Sequence, residues 1–416
     1  MKACILAGGY GRELEPFTQT RQKSMFPVLG RPLLEWIVEG LKKAGIVDLI
    51  VVTGYLGSQI RDHFASGEKH KVRVSYASCN PDLGVEAAIL SARHQLEAEE
   101  QFLLVYGDIV ADPEIYSRTL SAHQNWGADH TLCVTLSSVL SDFGVVKLEE
   151  GGRVVDIVEK PEVEPGYGNY VVAGVYVVGR SLLDRLEEGL NLASAFKAEL
   201  ARGREVYAAI WERAWVDLGR PWNILEANQL MLSKLAKIEI SAEAAVERGV
   251  RVSGPLVVEK GAVVESGVVI RGPCYIDEEA YVGNNTLIRD STYIGRGAVV
   301  GFSTEVKNSV LLASCEVGGN SYIGDSVIGE RAQIRPGAVT MNMSLREGTV
   351  KVRIGGRPVD SGKRKLGALI GDEARIGANV TFYPGVKVGS RATVLSGAVV
   401  DEDVEAEAIY PEDQRS

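Results

Sequence analysis

The first fourteen residues, Met1 to Leu14, read MKACILAGGYGREL. An apolar run passes directly into a turn containing Gly8, Gly9 and Gly11. Strand followed by glycine-rich turn is the order of an α/β domain that brings backbone N–H groups to a phosphate, because glycines without Cβ atoms let those groups converge at the start of a helix whose dipole favours anions. A tight structural turn accounts for the same residues equally well. One position is out of keeping with a cradle: Glu13 places a carboxylate where phosphates call for a base.

Outward from this stretch, KACILAG, DLIVVTG, RVSYAS, FLLVYGD and HTLCVTL read as strands, several of them apolar enough to be buried on both faces as in a parallel sheet. PLLEWIVEGLKKAG, from Pro32 to Gly45, reads as a helix with Pro at its start, an apolar stripe and Gly at its end. These signals predict an α/β domain over residues 1–232, an open and mostly parallel Rossmann-like sheet, with a further helix near Glu226 to Ile238 and a linker over 233–248.

Beyond the linker the period becomes six. Steps of six from Val252 meet Val258, Val264, Ile270, Ile276, Val282, Ile288, Ile294, Val300, Val306 and Leu312, all aliphatic. The register slips near Ile323, Ile328 and Ile334, leaves for an inserted arm at about 341–366, and resumes at Ile370, Ile376, Phe382, Val388, Val394 and Val400. Such a hexapeptide period predicts a parallel β-helix over 249–410 whose inward aliphatics stack coil upon coil. Many of the 46 glycines fall at its corners.

The net charge of −10 argues against a nucleic-acid or anionic-membrane surface. No leader-like start and no long apolar run is visible, so the expected location is the cytoplasm. The five cysteines lie far apart without a C-x-x-C pair and read as free thiols.

The quoted motifs carry a resemblance to the sugar-1-phosphate nucleotidylyltransferases. Over nearly the whole chain, the sequence is similar to a divergent member of the archaeal two-domain group that adds an acetyltransferase β-helix. Asp108 closes VYGD at the carboxyl end of a strand, where open sheets put their ligands, and Asp217 lies in AWVDLGRPWNILEAN. Each alone reads as a cap or turn residue; the resemblance implies that together they hold Mg²⁺, a hard cation suited to oxygen ligands. It implies nucleotide binding by Leu6, Ala7, Gly8, Gly9, Gly11 and Gly84, and a nucleotide-phosphate role for Lys23 in RQKSMFPV. It implies a sugar-phosphate site at Gly144, Glu159, Lys160 (in VEKPE) and Gly174. By analogy the β-helix is left-handed, and the chain forms a homo-oligomer, a trimer or a multiple of it.

Several positions depart from the family pattern. The arginine of the G-x-G-T-R-L loop is Glu13, which leaves Arg12, one position earlier, as the candidate guanidinium. The base-reading glutamine aligns with Cys79 or Ser78, the next nucleotide segment reads Gly84-Val85-Glu86, the sugar-pocket asparagine is Val172, and prolines flanking the loop lysine are Gln22 and Ser24. In the β-helix the acetyl-transfer histidine is replaced by Gly319 and a lysine by Gly348, although Tyr322, Asn342 and Lys351 match. No histidine follows His130. The expected function is therefore transfer of a nucleotide from a nucleoside triphosphate to a sugar 1-phosphate, without acetyl transfer. The alternative is a silent nucleotide-sugar-binding paralogue that associates with an active homologue.

Overall fold

A computed structural model describes residues 1–161, 166, 168–345 and 347–411. Glu162, the last residue of VEKPE, and Arg346, within the arm, lie outside the described residues. The chain divides into two compact units, one built from Met1–Tyr10, Gln22–Met25 and Pro32–Asp217, the other from Gly11–Arg21, Phe26–Arg31 and Leu218–Ser416.

In the first unit a sheet runs in the order Val154–Glu159, Gly144–Leu148, Tyr170–Gly179, Gln101–Tyr106, Ala3–Ala7, Asp48–Thr53, Arg73–Ser78, and His130–Leu136 joins Tyr170–Gly179 to Val206–Ile210. The four strands from Gln101–Tyr106 to Arg73–Ser78 are mutually parallel, as their apolar runs suggest; Ile5, Val51, Leu103 and Leu104 are completely buried. Tyr170–Gly179 then turns the sheet antiparallel. The helix Leu33–Lys43 buries Leu33, Leu34, Ile37, Val38 and Leu41, a three-to-four spacing that covers one face. Gly107 fixes the sheet's exit: its N–H donates to the Leu6 carbonyl at 2.9 Å, and a Cβ there would lie 2.6 Å from that oxygen. Asp108 therefore leaves the sheet at the carboxyl ends of its central strands.

The second unit is a coil of stacked parallel strands in three sheets of eight, nine and eight strands, the architecture of a left-handed β-helix. Pairs such as Leu256↔Cys274 and Ile276↔Ile294 are one turn of three hexapeptides apart. Val258, Val264, Ile270, Ile276, Val282, Ile288, Ile294, Val300 and Val306 fill its core.

Three details differ from the sequence reading. The coil starts before residue 249, inside the stretch read as linker, because Ile238–Ile240 and Ala245–Val246 already pair with the next turn. The first register slip also comes earlier: Leu311, not Leu312, pairs with Ile294 and occupies the inward position, since that turn is one residue short. The helix expected near Glu226 to Ile238 spans Asn223–Leu232. The arm contains the antiparallel hairpin Lys351–Ile354 with Arg357–Asp360.

The chain segments near the N-terminus that belong to this unit lie against the coil. Arg21 Nη2 is 2.7 Å from Glu330 Oε2 and 3.1 Å from Asp372 Oδ2, the Thr20 hydroxyl donates to Asp372, and Gln19 Oε1 accepts from the Ser390 N–H at 2.8 Å. Gly30, at φ +73°, comes so close that a Cβ would lie 2.5 Å from Asp277 Oδ2.

Candidate active site

Trp215–Asp217 runs antiparallel to Ile109–Ala111 with Asp217 opposite Ile109, and this register brings two carboxylates from distant parts of the chain together. Lys23 Nζ lies 2.5 Å from Asp108 Oδ2 and 4.0 Å from Asp217 Oδ1. The lysine is held by its neighbours. Gln22, almost fully buried, donates from Nε2 to the Ala7 carbonyl at 2.7 Å and accepts the Ser24 N–H at 2.6 Å, while Gln59 Oε1 accepts the Gln22 N–H at 2.8 Å. The two residues that replace flanking prolines thus fasten the Lys23 turn to the end of the first strand.

Desolvation and the neighbouring Asp108 charge push the Asp217 carboxyl up to about 7, against the opposing charges of Lys23 and Lys160. Asp108 Oδ1 and Asp217 Oδ1 are buried with no hydrogen-bond partner among the described residues. Buried carboxylate oxygens without partners are costly. Two such oxygens, on carboxylates that share Lys23, fit a hard divalent cation with oxygen preference.

Around this centre, Gly8 packs so tightly that a Cβ would lie 2.3 Å from Cys79 Sγ, whereas nothing lies within 4 Å of a Cβ on Gly9. Leu6 and Ala7 contribute through their carbonyls, which accept from Gly107 and Gln22. Gly84 is exposed at φ +82°. The acid that follows it is already engaged: Glu86 Oε1 accepts the Leu192 N–H at 3.0 Å, at the start of the helix Leu192–Ala201, where the dipole favours a negative charge.

Among the residues expected at the sugar phosphate, Gly144 lies opposite Glu159, and a Cβ on it would meet Glu159 Oε2 at 3.1 Å and Val172 at 3.3 Å. Gly174, at φ +76°, leaves only 3.0 Å from a Cβ to Ile109 Cγ1 and 3.1 Å to Tyr106 Cβ. Lys160 is exposed, with its N–H on the Phe143 carbonyl at 3.0 Å. Trp215, which sequence reasoning passed over, ties the strand of Asp217 to these residues: its indole N–H donates to the Ala173 carbonyl at 3.0 Å and its ring meets Phe143 edge-on. Its place two residues before Asp217 was the available signal.

In the second unit Gly11 has φ +67° and accepts the Thr18 hydroxyl at 2.8 Å. Arg12 and Glu13 are both exposed, and the Glu13 carboxylate lies 3.7 Å from Arg220 Nε. Arg220 is a second residue that sequence reasoning missed; it follows Asp217 closely in the quoted DLGRPW. In the coil, Asn342 Nδ2 donates to the Tyr322 hydroxyl at 3.0 Å, beside a buried Asp325 held by Lys307 at 2.7 Å and Asn308 at 2.7 Å. Lys351 sits exposed in the hairpin.

Residues 2–234 match the nucleotidyl transferase family, residues 270–355 the GMPPB C-terminal domain, and residues 367–402 six repeats of the bacterial transferase hexapeptide. The chain is 36% identical over 413 residues to the bifunctional sugar-1-phosphate nucleotidylyltransferase/acetyltransferase of Sulfurisphaera tokodaii, covering 97% of this chain and 98% of that one. It is 36% identical over 424 residues to the bifunctional protein GlmU of Methanococcus maripaludis strain C7, covering 100% and 98%, and 31% identical over 423 residues to the GlmU of Methanocaldococcus jannaschii, again covering 100% and 98%. The chain belongs to the nucleotidyl transferase family, in the two-domain form that continues into hexapeptide repeats.

Proposed function

We propose that the chain is a Mg²⁺-dependent sugar-1-phosphate nucleotidylyltransferase, converting a nucleoside triphosphate and a sugar 1-phosphate into a nucleotide sugar and pyrophosphate. The observation that carries this reading is the pair of unpartnered oxygens on Asp108 and Asp217 beside Lys23. Asp108 and Asp217 would hold the cation, which neutralises phosphate charge when bound. Lys23 orients the triphosphate, with Leu6, Ala7, Gly8, Gly9, Gly11 and Gly84 along the nucleotide and Arg12 supplying a guanidinium to the departing phosphates. Lys160, with Gly144, Glu159 and Gly174, holds the sugar phosphate. One of its oxygens attacks the α-phosphorus, the new O–P bond forms as the α–β bridge breaks, and pyrophosphate carries away the electron pair. Positioning and charge neutralisation supply the rate, with no covalent enzyme intermediate.

Acetyl transfer is absent in this reading, because Gly319 offers no imidazole and no histidine follows His130. The coil then serves assembly of a homo-oligomer, a trimer or a multiple of it. Among the described residues no helix is long and apolar enough to cross a membrane, and the cytoplasm is the proposed location. The exposed Glu13, paired with Arg220, favours one second reading: a silent nucleotide-sugar-binding paralogue acting with an active homologue. A pyrophosphate-release screen of five nucleoside triphosphates against common hexose 1-phosphates separates the two. Turnover with at least one pair supports the enzyme, and nucleotide-sugar binding without any turnover overturns it.

A further inference from the structure

A group of side chains that carry metal-ligating atoms lies on the first unit, and the mechanism above does not use it. Glu35 comes from the helix Leu33–Lys43, His63 from the helix Gly57–Phe64, and His70 from the short turn Glu68–His70 that leads to the strand Arg73–Ser78. One ligand atom from each lies within 4.8 Å of the other two. His63 Nε2 is already 2.6 Å from Glu35 Oε1, and the two imidazole centroids are 5.6 Å apart.

The backbone holds these groups in place. Phe64, buried, packs against both imidazoles with each centroid 4.8 Å away. The connection between His63 and His70 folds back through Ala65 at φ +45°, ψ −122° and Gly67 at φ +87°, and Lys71 follows at φ +59°. A side chain at Gly67 would lie 2.6 Å from the Val72 carbonyl, and the Gly67 carbonyl accepts from both His70 and Val72 N–H groups. The Ala65 conformation is sparsely populated by residues that carry a Cβ and persists where its surroundings dictate it. The positive charges nearby are partly offset: Lys42, whose Nζ donates to the His70 carbonyl at 3.3 Å, is also 2.6 Å from Glu39.

We infer that Glu35, His63 and His70 form a site for a borderline divalent cation of the Zn²⁺ class, with a water in the fourth position. Two imidazole nitrogens and one carboxylate oxygen are a frequent zinc ligand set, and tetrahedral bonds of about 2.0–2.2 Å separate the ligand atoms by about 3.4 Å. The observed separations, 2.6 Å between His63 Nε2 and Glu35 Oε1 and no more than 4.8 Å among the three ligand atoms, lie on either side of that spacing. The ligand chemistry distinguishes this site from the Asp108 and Asp217 pair, because imidazole selects Zn²⁺ or Co²⁺ while paired carboxylates suit Mg²⁺. A bound ion would join two helices to the connection that feeds the sheet's edge strand.

The test uses the full chain stripped of metal and titrated at pH 7.5 with Co²⁺, read by visible d–d absorption, and with Zn²⁺, read by thermal melting. The expected result is one tight equivalent with a low-coordinate Co²⁺ spectrum and a higher melting temperature with Zn²⁺. His63→Ala and His70→Ala should each weaken Co²⁺ binding by at least about 100-fold, the upper end of what losing only an outer partner costs. Asp108→Ala should retain the spectrum. The proposal is overturned if the Co²⁺ spectrum and affinity survive in both histidine variants, or if the wild-type chain shows no such band. Neither outcome depends on nucleotidyl transfer, so failure here leaves the proposed enzyme standing.

Discussion

Replacing Asp217 by asparagine should make the metal-free protein more stable at neutral pH while removing its activity. Asp217 is an inverted case among carboxylates: its pKa is raised from 3.8 to about 7 by desolvation and the Asp108 charge. The unfolded chain releases this proton near pH 4 and the folded chain holds it to about 7, so the group opposes folding increasingly between those values and fully above them. About three pKa units at about 1.4 kcal/mol each would be about 4 kcal/mol. The side chain is 30% exposed, and solvent screening reduces this to about 2 kcal/mol. For a unit of this size that corresponds to a melting shift of about 4–8 °C. Scanning fluorimetry in a metal chelator, from pH 4.5 to 8.5, should show Asp217→Asn gaining on the wild type as pH rises, with the gain reduced by added Mg²⁺. An advantage that is absent at pH 8, or the same at pH 4.5 and 8, would refute the electrostatic account of the site.

Glu199 behaves oppositely, since hydrogen bonds from His130 and Ser181 hold its carboxyl down to about 2. Its contribution is present above about pH 4.5 and lost as pH falls toward 2, so Glu199→Gln should flatten the acid limb of a melting profile. Gly174→Ala should cost about 1–3 kcal/mol in chemical denaturation through its positive φ and the 3.0 Å approach to Ile109, well above the cost of Gly151→Ala, which has φ +78° but open space. Arg12→Ala should cost about 1.5–3 kcal/mol of triphosphate binding by calorimetry, with Glu13→Arg nearly neutral. A silent Arg12→Ala together with a tighter-binding Glu13→Arg would favour the silent paralogue.

Much of the architecture was legible because it rests on periodicity. Aliphatics every six residues have only one way to be buried together, and a turn short by one residue is visible only when neighbouring coils are paired, as at Leu311 and Ile294. The coil's first turn was hidden because its strands, Ile238–Ile240 and Ala245–Val246, lie at an end with one neighbour and are less buried. The antiparallel strand Tyr170–Gly179 at the sheet's centre leaves no distinct apolar pattern, since it too is buried on both faces.

At the site, VYGD and the later Asp217 could be read as a pair only through resemblance; the pairing of Trp215–Asp217 with Ile109–Ala111 supplies the physical cause. Substitutions that look like decay in the sequence include some that have structural work. Gln22 and Ser24 hold the Lys23 turn, and Glu86 caps a helix. Such long-range hydrogen bonds leave no local signal. The same is true of Glu35, His63 and His70, whose spacing matches no familiar metal motif.

The most direct measurement is steady-state pyrophosphate release by the full-length chain in Mg²⁺, using the substrate pair found by the screen, for the wild type beside Asp108→Ala and Asp217→Asn at equal folded concentration. The account predicts turnover that requires Mg²⁺ in the wild type and falls by at least about 100-fold in each variant, the scale of losing one preorganised electrostatic group. Turnover that persists in either variant, or that is insensitive to removal of Mg²⁺, would contradict it.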